Sequence, residues 1–162
     1  MDRQFIDHIF DPNEETNVGA KLLNLLALVR KHLDMEVAFI SEFVGNDRVF
    51  KLVDKQTSSS TVCVGNSDVI KETYCQKIAD NQLDPIITDT KANPITNVMP
   101  ITKELNIGCY IGVPIVLSDG GMYGTFCCYK SHPDDSLNGR DLTFLTLISE
   151  VAAELIEKNV QF

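Results

Sequence analysis

From about Asn13 to Leu33 the apolar positions Val18, Leu22, Leu25, Leu26, Val29 and Leu33 recur at helical spacing, which predicts a long amphipathic helix. The period then changes. Met35 to Val44 and Arg48 to Val53 read as strands joined through Gly45-Asn46-Asp47, a hairpin signal, so the sheet begins antiparallel. A polar loop, Lys55 to Ser60, leads to a short β-like run at Thr61 to Val64. Ser67 is placed to cap a helix running to about Ala79, with Ile70, Tyr74, Cys75 and Ile78 on one face. A short buried strand is expected at Pro85 to Thr88 and a short helix around Ile101 to Leu105. Between them, Asp89 to Pro100 is rich in Asp, Asn, Thr and Pro, an irregular loop whose side chains can bond backbone groups or a ligand.

The stretch from Ile107 to Pro133 contains two long strand-like runs joined through Ser118-Asp119-Gly120-Gly121. Asp-Gly between β-rich runs signals a tight turn, because glycine supplies positive φ without steric cost. Gly112 and Gly124 interrupt the two strands and mark either a bulge or a place where something packs on bare backbone. A final helix follows, capped by Asn138, with Asp141 in its first turn and Leu145, Ile148, Val151, Ala152, Leu155 and Ile156 on its apolar face. The order of elements is that of an α+β fold, an antiparallel sheet with helices from both ends of the chain.

At 162 residues and 44% hydrophobic, the chain is expected to form one domain, 1–162, with a substantial core. A net charge of −9 provides no basic stripe for phosphates and no attraction to an anionic bilayer, so neither nucleic acid nor membrane is an expected partner. No apolar run approaches the ~20 residues of a membrane span, and the first residues lack the pattern of a signal peptide, so a cytoplasmic location is the expectation. Five cysteines in irregular positions are then expected to be thiols, mostly small buried hydrophobes. Cys127 and Cys128 are adjacent in a strand and point to opposite faces, which disfavours a shared metal. His8, His32 and His132 are dispersed and show no ligand spacing. The pairs Glu14-Glu15 and Asp134-Asp135 read as solvated or helix-start charges.

The segments TYCQKIADNQLDPIITDT, IGCYIGVPIVLSDGG and MYGTFCCYKSHPDDSLNGRDLTFL, in this order and spacing, resemble a GAF domain of the bacterial signalling type. The resemblance implies that both end helices cover one face of the sheet while a ligand pocket occupies the other. By similarity to bilin-binding members, Tyr110, Gly112, Thr125, Cys127 and Tyr129 are expected to face the pocket, and Cys109, Ile111, Val113, Phe126 and Cys128 the helices. Tyr74 on the middle helix is core or pocket wall, whereas Asp89, Asn93 and Asn97 are candidates for bonding a polar ligand or each other's backbone.

The resemblance also removes chemistry. Bilin-binding cyanobacteriochromes carry a Cys-His pair whose Cys makes the thioether link, where this chain has Asn97-Val98, and Tyr129 stands where phytochromes place another chromophore-contacting histidine. The Asn-Lys…Phe…Asp-Glu signature of cyclic-nucleotide-binding members is missing. No basic residue lies within the predicted pocket strands to pair with a phosphate, with Lys91 and Lys103 in the flanking segments, so an anion would rely on N–H groups at a helix start. Cys109 lies near, but not at, the catalytic position of GAF proteins that reduce free methionine sulfoxide, and no acid or histidine adjoins Cys75 or Cys127. The expectation is therefore a non-catalytic sensing or regulatory domain that couples an unnamed small molecule, with no cofactor identified, to a homodimer formed through its end helices. An output domain such as a histidine kinase, diguanylate cyclase or phosphodiesterase is the expected neighbour. The alternatives are a purely dimerising scaffold, a sulfoxide reductase and a bilin photoreceptor.

Overall fold

The computed structural model describes residues 18–56 and 62–158. Helix α1 (Val18–His32) is followed by β1 (Val37–Val44), β2 (Asp47–Lys55) and β3 (Ser67–Val69). After a 3-10 turn at Ile70–Glu72 come α2 (Tyr74–Ala79), β4 (Ile86–Ile87), a second 3-10 turn at Thr96–Val98, α3 (Pro100–Glu104), β5 (Cys109–Val116), β6 (Met122–Lys130) and α4 (Gly139–Lys158). Six strands form one antiparallel sheet in the order β3-β2-β1-β6-β5-β4.

Period-two alternation divides the sheet into two cores. On one face, Ala38, Ile40, Cys109, Ile111, Val113, Ile115, Phe126 and Cys128 pack beneath α1 and α4. Leu22, Leu25, Leu26 and Val29 of α1 and Leu145, Ile148 and Ala152 of α4 lose all solvent contact there. Full burial of a leucine side chain contributes roughly 1.5–3 kcal/mol, so these two helices are fixed by packing rather than by local propensity. On the other face, Phe39, Phe50, Tyr74, Cys75, Tyr110, Cys127 and Tyr129 form a second core, covered by α2, α3 and the loop between them.

The caps follow the local sequence. Asn138 accepts from the Arg140 amide at 2.8 Å while Asp141 reaches back to the Asn138 amide at 3.0 Å, a reciprocal cap on α4. The long hairpin turns with Gly120 at φ +85° and a Gly120 N–H to Leu117 carbonyl bond of 2.9 Å. The shorter hairpin places Gly45 at φ +60°.

Two local expectations are corrected. Ser67 does not cap a helix: Ser67–Val69 pairs with β2 as an edge strand, and α2 begins at Tyr74 behind Thr73, whose hydroxyl accepts from the Gln76 amide. The reason is non-local, because β2 offers Arg48 opposite Asp68 and the two lock side by side. The third strand is accordingly Ser67–Val69 rather than the β-like run, of which Val62 to Val64 is irregular and Thr61 lies outside the described residues. Asn13 to Asn17, Glu14-Glu15 and His8 also lie outside them. His32 ends α1 with its ring 4.5 Å from that of Phe144 on α4, and His132 is exposed.

Candidate functional site

Between α2 and the β5–β6 hairpin lies a cleft of about 180 Å³, walled by Cys75, Ile78 and Ala79 from α2 and by Tyr110, Gly112, Val113, Pro114, Met122 and Thr125 from the sheet. Its floor depends on Gly112. Tyr110 is two residues earlier on the same face, and its side chain lies back along the strand over the bare glycine, so that a Cβ on Gly112 would overlap the Tyr110 hydroxyl and approach Cys127 Sγ. Gly124 serves the sheet instead, since a Cβ there would run into the Ser41 carbonyl of the neighbouring strand. The strand irregularity lies between Ile115 and Val116, opposite Gly124 and Met122, so that Tyr123 is the extra residue and Gly124 borders the bulge, whereas Gly112 pairs regularly with Cys127.

Behind the cleft wall, polar groups converge on two thiols. Cys75 Sγ lies 3.8 Å from Cys127 Sγ, 3.5 Å from the Tyr110 hydroxyl and 3.4 Å from Thr125 Oγ1. The Tyr110 hydroxyl lies 2.9 Å from Cys127, and Thr125 shares a 2.6 Å bond with Ser41. Arg48 Nη1 donates to Cys75 Sγ at 3.5 Å. That guanidinium is only 2% exposed; Nε and Nη2 grip Asp68 at 2.9 and 2.6 Å, and its plane lies 5.3 Å from the Phe39 ring and 4.9 Å from that of Phe50.

These contacts separate the two thiols electrostatically. The hydrogen bond from Cys127, reinforced by the charge of Arg48 and by the hydroxyls of Thr125 and Tyr110, pulls the Cys75 thiol well below its usual range despite burial. Burial, and then Cys75 itself, hold Cys127 well above it. Burial likewise raises the Tyr110 hydroxyl. On the helix side, burial lifts Cys109 to about 11 and Cys128 further, so those two are inert neutral thiols.

The structure brings Tyr74, Tyr110, Gly112, Thr125, Cys127 and Tyr129 to one face. Tyr110, Gly112 and Thr125 line the cleft, and Cys127 lies directly behind it. Tyr74 crosses the Tyr110 ring edge-on at 5.0 Å and turns its hydroxyl away to Thr102 at 2.5 Å; burial lifts that hydroxyl to about 12. Tyr129 borders a separate small void of about 10 Å³ with Phe39, Arg48 and Tyr74.

Asp89, Asn93 and Asn97 do not line the cleft. Asp89 accepts from the amides of Lys91 and Ala92, Asn93 from those of Ile95 and Thr96, and Asn97 is exposed. Buried threonines complete that loop: Thr102 donates to the Thr96 carbonyl, Thr96 to that of Thr90, and Thr90 to that of Ile107. Its polar side chains therefore support its own backbone.

Arg48 is the site residue that strand patterning passed over. Its signal is a cation two positions before Phe50, on the inward period of β2, and it supplies the basic group that the cleft-facing positions of β5 and β6 lack.

Residues 17–157 match the family described as GAF domain. The chain belongs to the GAF domain family. Among solved structures, this GAF domain is similar to a far-red cyanobacteriochrome photoreceptor, at 17% identity and a TM-score of 0.70 over 96% of this chain and 95% of that one. It is also similar to the GAF domain of an Acinetobacter phosphoenolpyruvate-protein phosphotransferase, at 13% identity and a TM-score of 0.73 over 98% and 95% of the two chains. A far-red-absorbing dark-state protein with bound biliverdin superposes at a TM-score of 0.77 with 9% identity, over 98% of each chain. At these identities the likeness is one of fold. No curated protein matches the chain.

Proposed function

We propose that this sensor-type GAF domain is a non-catalytic regulatory unit spanning the whole chain, and that its cleft binds a small, mainly apolar molecule. The cleft carries the reading: about 180 Å³, walled by Ile78, Ala79, Val113, Pro114 and Met122, with Thr125 and the Tyr110 ring as its polar margin. Drug-sized ligands occupy roughly 300–1,000 Å³, whereas an apolar cavity of roughly 150 Å³ accepts benzene. The occupant is thus of benzene-to-indole size. A bilin, as in the biliverdin-bound neighbour, exceeds this space, and Asn97 offers no thiol for attachment.

Binding is proposed to act through the sheet. Gly112 and Thr125 face the cleft, while their strand neighbours Ile111 and Phe126 pack in the core beneath α1 and α4. Displacing the Tyr110 side chain from Gly112 therefore moves strands on which both end helices rest. A ligand that favours one strand arrangement biases the helices by its differential affinity. Leu23 on α1 and Leu147 on α4 remain 39% and 51% exposed, apolar positions suited to a parallel homodimer that passes the change to an output domain of a bacterial, cytoplasmic regulator. A dimer without ligand coupling is the second reading, favoured by those same leucines.

The test is thermal unfolding with indole and related small aromatics. Binding at ten times Kd stabilises by about 1.4 kcal/mol, a rise of about 3–6 °C for a domain this size. Ala79→Trp, which fills the cleft from α2, abolishes the rise. An unchanged rise in that variant, or none across the panel, leaves the dimerising reading.

A further inference from the structure

We propose that Cys75 and Cys127 form a peroxide-reactive pair at the back of the cleft, Cys75 attacking a small hydroperoxide and Cys127 resolving the product as a disulfide. This is independent of the sensory reading, because it requires the two thiols and an entry path but no organic ligand.

Four observations converge. The sulfurs lie 3.8 Å apart, in contact and unbonded, and a disulfide requires closure to about 2.05 Å. Arg48 places a permanent, buried cation at 3.5 Å from Cys75 Sγ, with its other donors committed to Asp68. Cys75 lines the cleft, so a molecule of peroxide size reaches it without unfolding, whereas Cys127 sits behind it, against Cys75, Thr125 and the Tyr110 hydroxyl. Around the developing thiolate, the Thr125 hydroxyl, which receives the Cys75 proton in the thiol form, rotates to donate while Ser41 donates to it in turn.

The chemistry balances with hydrogen peroxide as oxidant. The Cys75 thiolate attacks one oxygen; an S–O bond forms, the O–O bond breaks, and the departing hydroxide takes up a proton to leave as water. Sulfur is oxidised to the sulfenic acid and peroxide is reduced. Cys127 then attacks Cys75 Sγ; an S–S bond forms, the S–O bond breaks, and hydroxide leaves with the proton of Cys127 as a second water. The new bond ties α2 to β6 and draws in the cleft wall. The charged and titratable groups facing Cys75 are Arg48 of β2 with Asp68 of β3 attached, Tyr110 of β5 and Cys127 of β6.

The sequence contains its own comparison. Cys63 is exposed and free, so exposure alone would make it react first. Reduced full-length protein is treated with hydrogen peroxide at near-stoichiometric amounts and followed by thiol titration and peptide mass spectrometry. The expected result is loss of two thiols, with a Cys75–Cys127 cross-link that is reversed by dithiothreitol. In Cys127→Ser a sulfenic acid persists on Cys75 and is captured by dimedone. Arg48→Lys retains a cation but loses the planar fork, and slows oxidation by about tenfold while moving its pH midpoint upward. Oxidation confined to Cys63, or a Cys75 rate and pH profile unchanged in a folded Arg48→Lys protein, overturns the proposal. Should that variant fail to fold, the Cys127→Ser trapping decides alone: an unlabelled Cys75 overturns the pair.

Discussion

Replacing Gly112 by alanine isolates the contact on which the cleft floor depends. The added Cβ lands within overlap of the Tyr110 hydroxyl, 2.7 Å from Tyr110 Cζ and 2.9 Å from Cys127 Sγ. The backbone is not the obstacle, so Tyr110 must leave its place over the strand, and the open space beside it is the cleft itself. Moving it breaks the 2.9 Å contact with Cys127 and the 3.5 Å contact with Cys75. Leaving a buried hydroxyl without a partner costs about 1–3 kcal/mol. Residual overpacking adds about 1–3 kcal/mol, so Gly112→Ala is expected to lose about 2–6 kcal/mol, on the order of 10 °C in Tm. Urea unfolding followed by circular dichroism measures the loss. In a Tyr110→Phe background the nearest overlapping atom is gone, so the same substitution costs at least about 1 kcal/mol less. Equal costs in the two backgrounds would refute the reasoning. Gly124→Ala provides the contrast: its Cβ meets the Ser41 carbonyl, which cannot swing aside, and a loss beyond about 4 kcal/mol is expected.

Two further predictions concern the helix face and the end of β6. Leu23→Glu with Leu147→Glu gives a folded monomer in light scattering if the end helices pair, and no change in mass contradicts that pairing; both side chains are exposed, so stability moves by less than about 1 kcal/mol. Asp134 accepts from Lys130 Nζ at 2.8 Å and from Ser136, which hold its carboxyl at about 2. Its folded value is thus depressed: the stabilisation is present above the unfolded value near 4 and is lost as pH falls through about 2. Asp134→Asn accordingly destabilises by about 1 kcal/mol after allowance for solvent screening at neutral pH, and the difference from the parent vanishes toward pH ~2 in acid unfolding curves.

Strand pairing and the division of faces were legible in the sequence because alternation at period two survives any tertiary context. Tyr110, Gly112, Thr125 and Cys127 fall on one side and Ile111, Val113 and Phe126 on the other for that reason. Asp89 and Asn93 carried both of their readings in the sequence, and their bonds to the following amides show the local one. What stayed hidden was non-local. Ser67 looks like a helix cap until Asp68 is seen opposite Arg48, and a cation inside a strand reveals its burial only when that partner and the two phenyl rings are in place. Cys75 and Cys127 are 52 residues apart, on a helix and a strand, and no spacing rule brings them together. Individually each reads as a small hydrophobe; juxtaposed beneath Arg48, they differ in acidity.

The central claim is that occupancy of the cleft is transmitted to the end helices. Backbone amide NMR during titration with indole tests it most directly, because each peak reports one position. The account predicts saturable shifts at Cys75, Ala79, Gly112 and Thr125, accompanied at the same Kd by shifts at Leu22, Leu25, Leu145 and Ile148, across the sheet from the ligand. Shifts absent from the cleft residues, or confined to them while α1 and α4 stay still, would contradict it.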